Sequence, residues 1–251
     1  MRTWRFWLGI FCGVLLLASW PARGWAQAAE AEDENTRVSL LFFGGPSKYK
    51  MSDVNRLIEE NNQNLAPGFE VKEVGGGFGF GAGIRVAPTR RIAIELDYNR
   101  LPAKAKTSGI IPPATPVEEI VAVPANALSL TGEVFRQWHG IHYGLGIGAG
   151  YYFCHGNVRE TAGTQSIGYT VSGHGVGFHV LGLADIAMSK SLHFDGGLGY
   201  RSAKSGNLEV FENDLLLSDG STVRADWSGI TLRLGFSIPF NPGSYPTNQD
   251  R

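Results

Sequence analysis

Residues 141–153 have the sequence IHYGLGIGAGYYF, and this stretch decides the fold class. Ile141, Tyr143 and Leu145 begin an apolar face that continues at every second residue, while His142 and Gly144 begin a face of small and polar residues. Side chains two positions apart lie on the same face of a β-strand. A period of two over this length therefore predicts a strand and not a helix.

The same alternation recurs along the chain and predicts eight strands, at residues 37–44, 74–87, 91–100, 127–136, 140–154, 174–188, 192–203 and 224–240. Short turns at 88–90, 137–139 and 189–191 alternate with long connections at roughly 45–73, 101–126, 155–173 and 204–223. All long loops then emerge at one end, as in outer-membrane barrels. We predict an all-β fold: an eight-stranded antiparallel up-and-down transmembrane β-barrel with a short helix in the first long loop.

Composition excludes several other classes of protein. Glycine supplies 34 of 251 residues, only 18% of residues are charged, and 43% are hydrophobic. Such a chain is too apolar to be disordered and too poor in charge to be a coiled coil. A net charge of −1 gives no overall basic character, so no nucleic-acid partner is expected. Two cysteines cannot form a disulfide scaffold in a chain of this length.

The first 26 residues are typical of a secretory signal peptide. Arg2 and Arg5 precede an apolar run at 6–20, and Gly24 and Ala26 give small residues before a cut at Gln27. We expect a cleaved signal peptide (1–26), an N-terminal segment (27–36), the barrel (37–240) and a short C-terminal tail (241–251). An exported protein without a later transmembrane helix can be integral to a membrane only as a closed barrel.

Alternation alone leaves open whether the apolar face meets lipid or the core of a soluble barrel. Three features favour lipid: glycines on the polar face, aromatic residues near strand ends, and charges of both signs on the polar face. In a lumen those charges can neutralise one another. We therefore predict a lumen ion-pair network of Arg85, Glu95, Asp97, Glu133, Asp185, Asp195, Arg201 and Arg233, with outer-membrane lipid around the barrel.

Residues 226–240, DWSGITLRLGFSIPF, resemble the closing strand of small bacterial outer-membrane barrels. The resemblance is to the OmpA/OmpX/OmpW-like barrel superfamily and covers about residues 37–240. It implies location in the outer membrane and a signal for the barrel assembly machinery, formed by Phe240 with Phe236 and Ile238. The residues 241–251 that follow are a departure, because this signal is usually terminal. We expect a monomer.

The long loops offer further candidates. Ser52 can cap a helix that places Met51, Val54, Leu57 and Ile58 on one face, either as a lid or partner-binding helix or, the preferred interpretation, as a surface helix packed on the barrel rim. The second long loop, at 101–126, is interrupted by prolines and is predicted to be irregular and mobile.

The sequence offers only weak candidates for catalytic or metal-binding residues. His155 and His174 could share a metal at the rim, but a structural or solvated role is preferred, and we expect no metal and no cofactor. His193 and Asp195, or Ser172 and His174, could serve a lipid-modifying enzyme, yet no local motif supports a catalytic triad. The glycine run at 75–81 continues a strand and is not a phosphate-binding loop. Cys154 is expected to be a packed or interfacial thiol and not a nucleophile.

The leading functional hypothesis is a non-enzymatic integral outer-membrane barrel with a structural or interaction role exerted through its long extracellular loops. The alternative is a narrow conduit for small molecules, hydrophobic ones included, although an eight-stranded interior is normally filled by side chains. A soluble periplasmic binding barrel and a lipid-modifying enzyme remain as less favoured hypotheses.

Overall fold

The computed structural model describes residues 36–63, 65, 69–111 and 115–240. The predicted signal peptide, all but the last residue of the segment 27–36, and the tail 241–251 lie outside the described residues. Among the described residues, no helix has the length and hydropathy that a membrane span requires.

Eight antiparallel strands form a closed ring, which confirms the predicted fold class. In ring order they are β1 (Arg37–Lys48), β2 (Gly76–Ala87), β3 (Ile92–Leu101), β6 (Ala125–Trp138), β7 (Ile141–Ala162), β8 (Gln165–Ser189), β9 (Leu192–Ala203) and β12 (Gly229–Pro239). Pairing of β1 with β12 closes the ring, with Leu40 opposite Ile238 and Phe42 opposite Phe236.

The apolar face of the ring points outward. Leu145 and Ile147 are 63% and 68% exposed, whereas Glu95 and Glu133 on the other face are almost completely buried. This is the orientation of a membrane barrel; a soluble barrel would bury its apolar face. The outward band also includes Phe42, Phe80, Ile84, Ile94, Leu96, Tyr98, Leu128, Leu130, Val134, Val176, Phe178, Val180, Leu198, Tyr200, Leu234 and Phe236.

The end of the barrel that carries the long connections is more regular than predicted. Four further strands lie there: β4 (Lys104–Ile111), β5 (Thr115–Ala122), β10 (Glu209–Val210) and β11 (Asn213–Asp214). β7 and β8 continue as one paired ladder as far as Ala162 opposite Gln165, so the predicted long loop at 155–173 is a strand extension with a short turn.

The prediction of an irregular loop at 101–126 was wrong. β4 and β5 form a hairpin, and β5 also pairs with the extension of β7. The prolines interrupt this hairpin less than expected, because Pro116 lies at the start of β5 and Pro124 lies between β5 and β6. The alternating residues Val117 and Val121 face inward and are buried, which fixes the register of the hairpin.

The predicted helix in the first long connection is present as α1 (Ser52–Asn62). Its start differs from the prediction: Met51 precedes the helix in a left-handed conformation, with φ of 45°, and no side chain caps the first turn. Val54 and Ile58 form the buried face of the helix. The helix therefore packs against the rim, as the preferred interpretation held.

Candidate functional site

The middle of the lumen is filled by an ionic cluster centred on Arg85. The Arg85 guanidinium lies 3.0 Å from Glu95, 2.7 Å from Glu133 and 2.8 Å from Asp195, measured between nitrogen and oxygen atoms. Its side chain is only 6% exposed, and the side chains of Glu95 and Glu133 are fully buried. Neighbouring strands β2, β3 and β6 supply Arg85 and the two glutamates, because all three occupy inward positions of the alternation.

Arg233 joins the same cluster from β12. Its Nη1 and Nη2 atoms donate hydrogen bonds to the two carboxylate oxygens of Glu95, at 2.5 and 2.8 Å, and Nη2 also donates to Asp195 at 3.1 Å. This two-pronged geometry is the strong form of a guanidinium–carboxylate contact. The guanidinium carbon also lies 4.3 Å from the centre of the Phe43 ring. We call Arg85, Glu95, Glu133, Asp195 and Arg233 the lumen cluster.

The other three residues of the predicted ion-pair network lie in the lumen beside this cluster. Asp185 is 3.7 Å from Arg85, and its Oδ1 is 2.8 Å from Nδ1 of His193. Arg201 and Asp97 are buried, and Arg201 donates to the Ser47 hydroxyl at 3.4 Å. Within the described part of the chain, neither Asp97 nor Arg201 forms an ion pair like those of Arg85.

Two small cavities flank the lumen cluster. One, of about 50 Å³, is lined by Asp97, Arg201 and Tyr152 among others. The other, of about 60 Å³, lies towards the short turns and is lined by Arg37 and His142 among others. The two cavities share no lining residue. Each has room for only a few water molecules. The lumen cluster therefore separates the two halves of the lumen.

Sequence reasoning assigned no role to His179, which is buried in the lumen 2.8 Å from the hydroxyl of Thr131. It also missed the rings of Phe43 and Phe135, which lie inside the barrel against the two arginines. Only the position of each residue on the inward face of its strand could have indicated this. From the sequence, aromatic residues were considered only as an outward-facing girdle near the strand ends.

A second closure lies at the long-loop end. Buried apolar side chains from α1, the strand extensions and the connection between β9 and β12 form one cluster, which we call the cap core. Its larger members are Met51, Val54, Ile58, Val71, Val74, Leu101, Val121, Val123, Tyr152, Cys154, Val171, Leu208, Leu217, Val223 and Trp227. Tyr152 and Leu101 also line the lumen cavity next to it, so the cap core directly covers that cavity.

Trp227 is central to the cap core. Its side chain is fully buried, its Nε1 donates to the carbonyl of Val123 at 3.0 Å, and its ring is stacked near that of Tyr152, with centres 6.5 Å apart. Its backbone N–H donates to the carbonyl of Ala203. Trp227 thus ties the connection before β12 to the segment that follows β5 and to the end of β9.

Polar contacts hold α1 on this end. Arg56 donates to Asp219 at 2.8 Å, and a carboxylate oxygen of Glu60 accepts from the backbone N–H of Ser218 at 2.9 Å. On the other side of the helix, Asn61 donates to Glu119 at 2.7 Å. Burial raises the pKa of the Glu119 carboxyl above its ordinary value, although the hydrogen bond from Asn61 opposes this shift. These contacts make α1 a fixed part of the cap and not a free lid.

The predicted assembly signal lies on the outer face of β12 and just beyond it. Phe236, Ile238 and Phe240 are 46%, 40% and 56% exposed, so all three are available from outside the barrel. Their recognition by an assembly machinery stays a prediction.

The catalytic candidates are not brought together into a triad. On neighbouring strands, Ser172 lies opposite His155 and Glu209, while His174 lies opposite Phe153. Among the described residues, no hydrogen bond links Ser172 to either histidine. His193 faces Asp185 in the lumen. Cys154 is only 3% exposed in the cap core, as expected of a packed thiol.

No protein-family model matches this chain, and no curated protein sequence matches it either. Solved structures of outer-membrane proteins do. Neisserial surface protein A is 13% identical, with a TM-score of 0.42 over 82% of this chain and 100% of its own. A major outer membrane protein of Thermus thermophilus is 13% identical, with a TM-score of 0.46 over 82% and 99%. OprG of Pseudomonas aeruginosa is 10% identical, with a TM-score of 0.41 over 83% and 97%. These similarities concern the arrangement of strands.

Proposed function

We propose that this protein is a sealed, non-enzymatic barrel of the bacterial outer membrane that acts through its extracellular end. In this proposal the short turns face the periplasm and the long connections face outward, as is usual for such barrels. The observation that carries it is closure of the lumen at two levels, by the lumen cluster and by the cap core.

The lumen cluster supports closure because each of its charged groups contacts an opposite charge. Drawing Arg85 or Arg233 aside to open a path would leave buried carboxylates without a partner, which costs several kcal/mol. The cap core supports closure in a different way, since moving it would expose a continuous apolar surface to water. A conduit would need both to move.

The cap also supports a role at the cell surface. α1, the β4–β5 hairpin and the β7–β8 extension are held by pairing and by buried side chains, so they present a fixed outer surface. A fixed surface loses little conformational entropy when it binds a partner. We therefore assign the protein a structural or interaction role, exerted through its long extracellular connections.

Planar-bilayer recording tests this proposal against the conduit alternative. Detergent-purified protein is reconstituted into lipid, and flotation with the vesicles shows that it has inserted. We expect no discrete conductance steps from the inserted protein, because the lumen cluster lies between two small cavities that share no lining residue. A porin prepared in parallel serves as the positive control. Reproducible single-channel steps from the inserted protein would overturn the sealed barrel and favour the conduit.

A further inference from the structure

The outer face of β7 and β8 changes character abruptly above the apolar band. Up to Phe153 and Val176 the outward residues are mostly apolar and lie at the level of lipid. Beyond them the outward residues are polar on both strands, namely His155, Asn157, Arg159 and Thr161 on β7 and His174, Ser172, Thr170 and Ser166 on β8. Arg159 lies six residues beyond Phe153, roughly 20 Å along the strand. If the apolar band spans the lipid, as the proposed location requires, this polar strip lies beyond the hydrocarbon layer at the long-loop end.

A hollow of about 380 Å³ lies on this strip. Its lining includes Asn157, Arg159, Thr170 and Phe211. Gly168 lies opposite Arg159 in the ladder, so β8 places no side chain directly opposite Arg159. Arg159 and Thr170 are exposed, and the structure assigns no ion pair to Arg159 within the described residues. The hollow therefore offers a cation, an amide and a hydroxyl to a ligand approaching from outside.

Phe211 lies at the edge of the hollow, and its backbone has a conformation that is unfavourable for a bulky residue. Phe211 and Glu212 form the two-residue turn between β10 and β11, and both have positive φ, 49° and 68°. Turns of this kind prefer Asn-Gly, and a bulky residue in the left-handed region is a genuine outlier. The Phe211 side chain is nevertheless 81% exposed. Strain that exposes an aromatic ring beside a hollow points to a contact made by that ring.

We propose that this hollow binds the phosphorylated sugar head of an outer-leaflet glycolipid. The Arg159 guanidinium would pair with a phosphate oxygen, since its planar fork suits that group. Asn157 and Thr170 would exchange hydrogen bonds with sugar hydroxyls, and the Phe211 ring would cover an apolar sugar face. This inference rests on the proposed location in the outer membrane and adds a ligand class to it.

The test uses phosphorylated core oligosaccharide, released from lipopolysaccharide by mild acid, titrated calorimetrically into the full protein in detergent. Arg159→Ala is expected to weaken binding at least about tenfold, as loss of a charge-assisted contact does. Phe211→Gly is expected to weaken it comparably while raising the unfolding temperature, because glycine accepts positive φ. Glu212→Gly is the matched control: it should raise the unfolding temperature and leave binding unchanged.

A second arm separates a sugar site from general attraction to anions. Phosphatidylglycerol added in mixed micelles of the same detergent should not compete with the oligosaccharide. Arg136→Ala, at the short-turn end, should not change the affinity for the oligosaccharide. Absence of oligosaccharide binding to the wild type, equal competition by phosphatidylglycerol, or unchanged affinity in Arg159→Ala would overturn the inference. None of these results would alter the conductance expected of a sealed barrel, so the two proposals can fail separately.

Discussion

Replacing Arg85 by alanine is expected to destabilise the folded barrel by about 3–5 kcal/mol, which is the usual cost of removing one partner from a buried ionic contact. Arg85 lies within 3.0 Å of Glu95, Glu133 and Asp195. Without the guanidinium, Glu95 and Asp195 would keep only their contacts with Arg233, and Glu133 would lose its ion pair, in a space nearly closed to water. The midpoint of urea unfolding in detergent, followed by tryptophan fluorescence, measures the loss.

Two variants show whether the loss comes from uncompensated charge. Adding Glu133→Gln to Arg85→Ala removes one of the stranded carboxylates, so the double variant should recover part of the stability. Arg136→Ala removes an exposed arginine from the next strand but one, and should change the free energy of unfolding by no more than about 0.5 kcal/mol. An Arg85→Ala barrel that unfolds at the wild-type urea concentration would show that the lumen cluster does not hold the interior together.

The substitution Trp227→Ala is expected to have the second large effect on stability, and this effect should be localised in the cap. Truncating a fully buried tryptophan costs about 3–5 kcal/mol, because it leaves a cavity as well as losing apolar burial. Trp227 also anchors the cap to Val123 and packs near Tyr152. We expect rapid proteolysis of the long-loop end in the folded protein, at protease concentrations that leave the wild type intact.

Two further variants test whether loss of the buried ring causes the proteolysis. Trp227→Phe keeps an aromatic ring, although a smaller one, and loses the hydrogen bond to Val123, so it should cost about 1–3 kcal/mol and leave the cap more resistant than Trp227→Ala does. Trp138→Ala removes a ring that is 65% exposed at the short-turn end, and it should not change proteolysis of the cap. Cap resistance preserved in Trp227→Ala would mean that the cap core is not a single cooperative unit.

The barrel could be predicted from the sequence because its signal is local. A period of two fixes which residues share a face, and short turns between long strands fix antiparallel neighbours. The strands predicted at 192–203 and 91–100 agree closely with β9 and β3. The same period placed Arg85, Glu95, Glu133 and Arg233 in the lumen without any structural information.

The long-loop end could not be predicted in the same way, because its structure depends on distant contacts. β5 is a strand because it pairs with the extension of β7 and buries Val117 and Val121. Its prolines, taken alone, argued for an irregular loop. The left-handed Met51 before α1 is similarly invisible in the sequence, since its side chain is held by the cap core and not by its neighbours in the chain.

The ion pairs within the lumen could be predicted only in part from the sequence. The alternation shows that a charged side chain points inward. It does not show the height of that side chain along the barrel axis relative to a charged side chain on another tilted strand. Asp97 and Arg201 share the lumen with the cluster and yet lie beside a separate cavity. The proposed binding role of Phe211 could not be predicted from the sequence, because the positive φ of this residue is known only from the structure.

Gel mobility of the detergent-solubilised protein, loaded with and without boiling, tests the central claim most directly. A closed barrel with its apolar face outward should stay folded in detergent at room temperature and unfold on boiling, so we expect two well-separated bands. The same protein should remain with the membrane fraction in buffer without detergent. One band at the same position in both lanes, from a protein that dissolves in plain buffer, would contradict the membrane barrel.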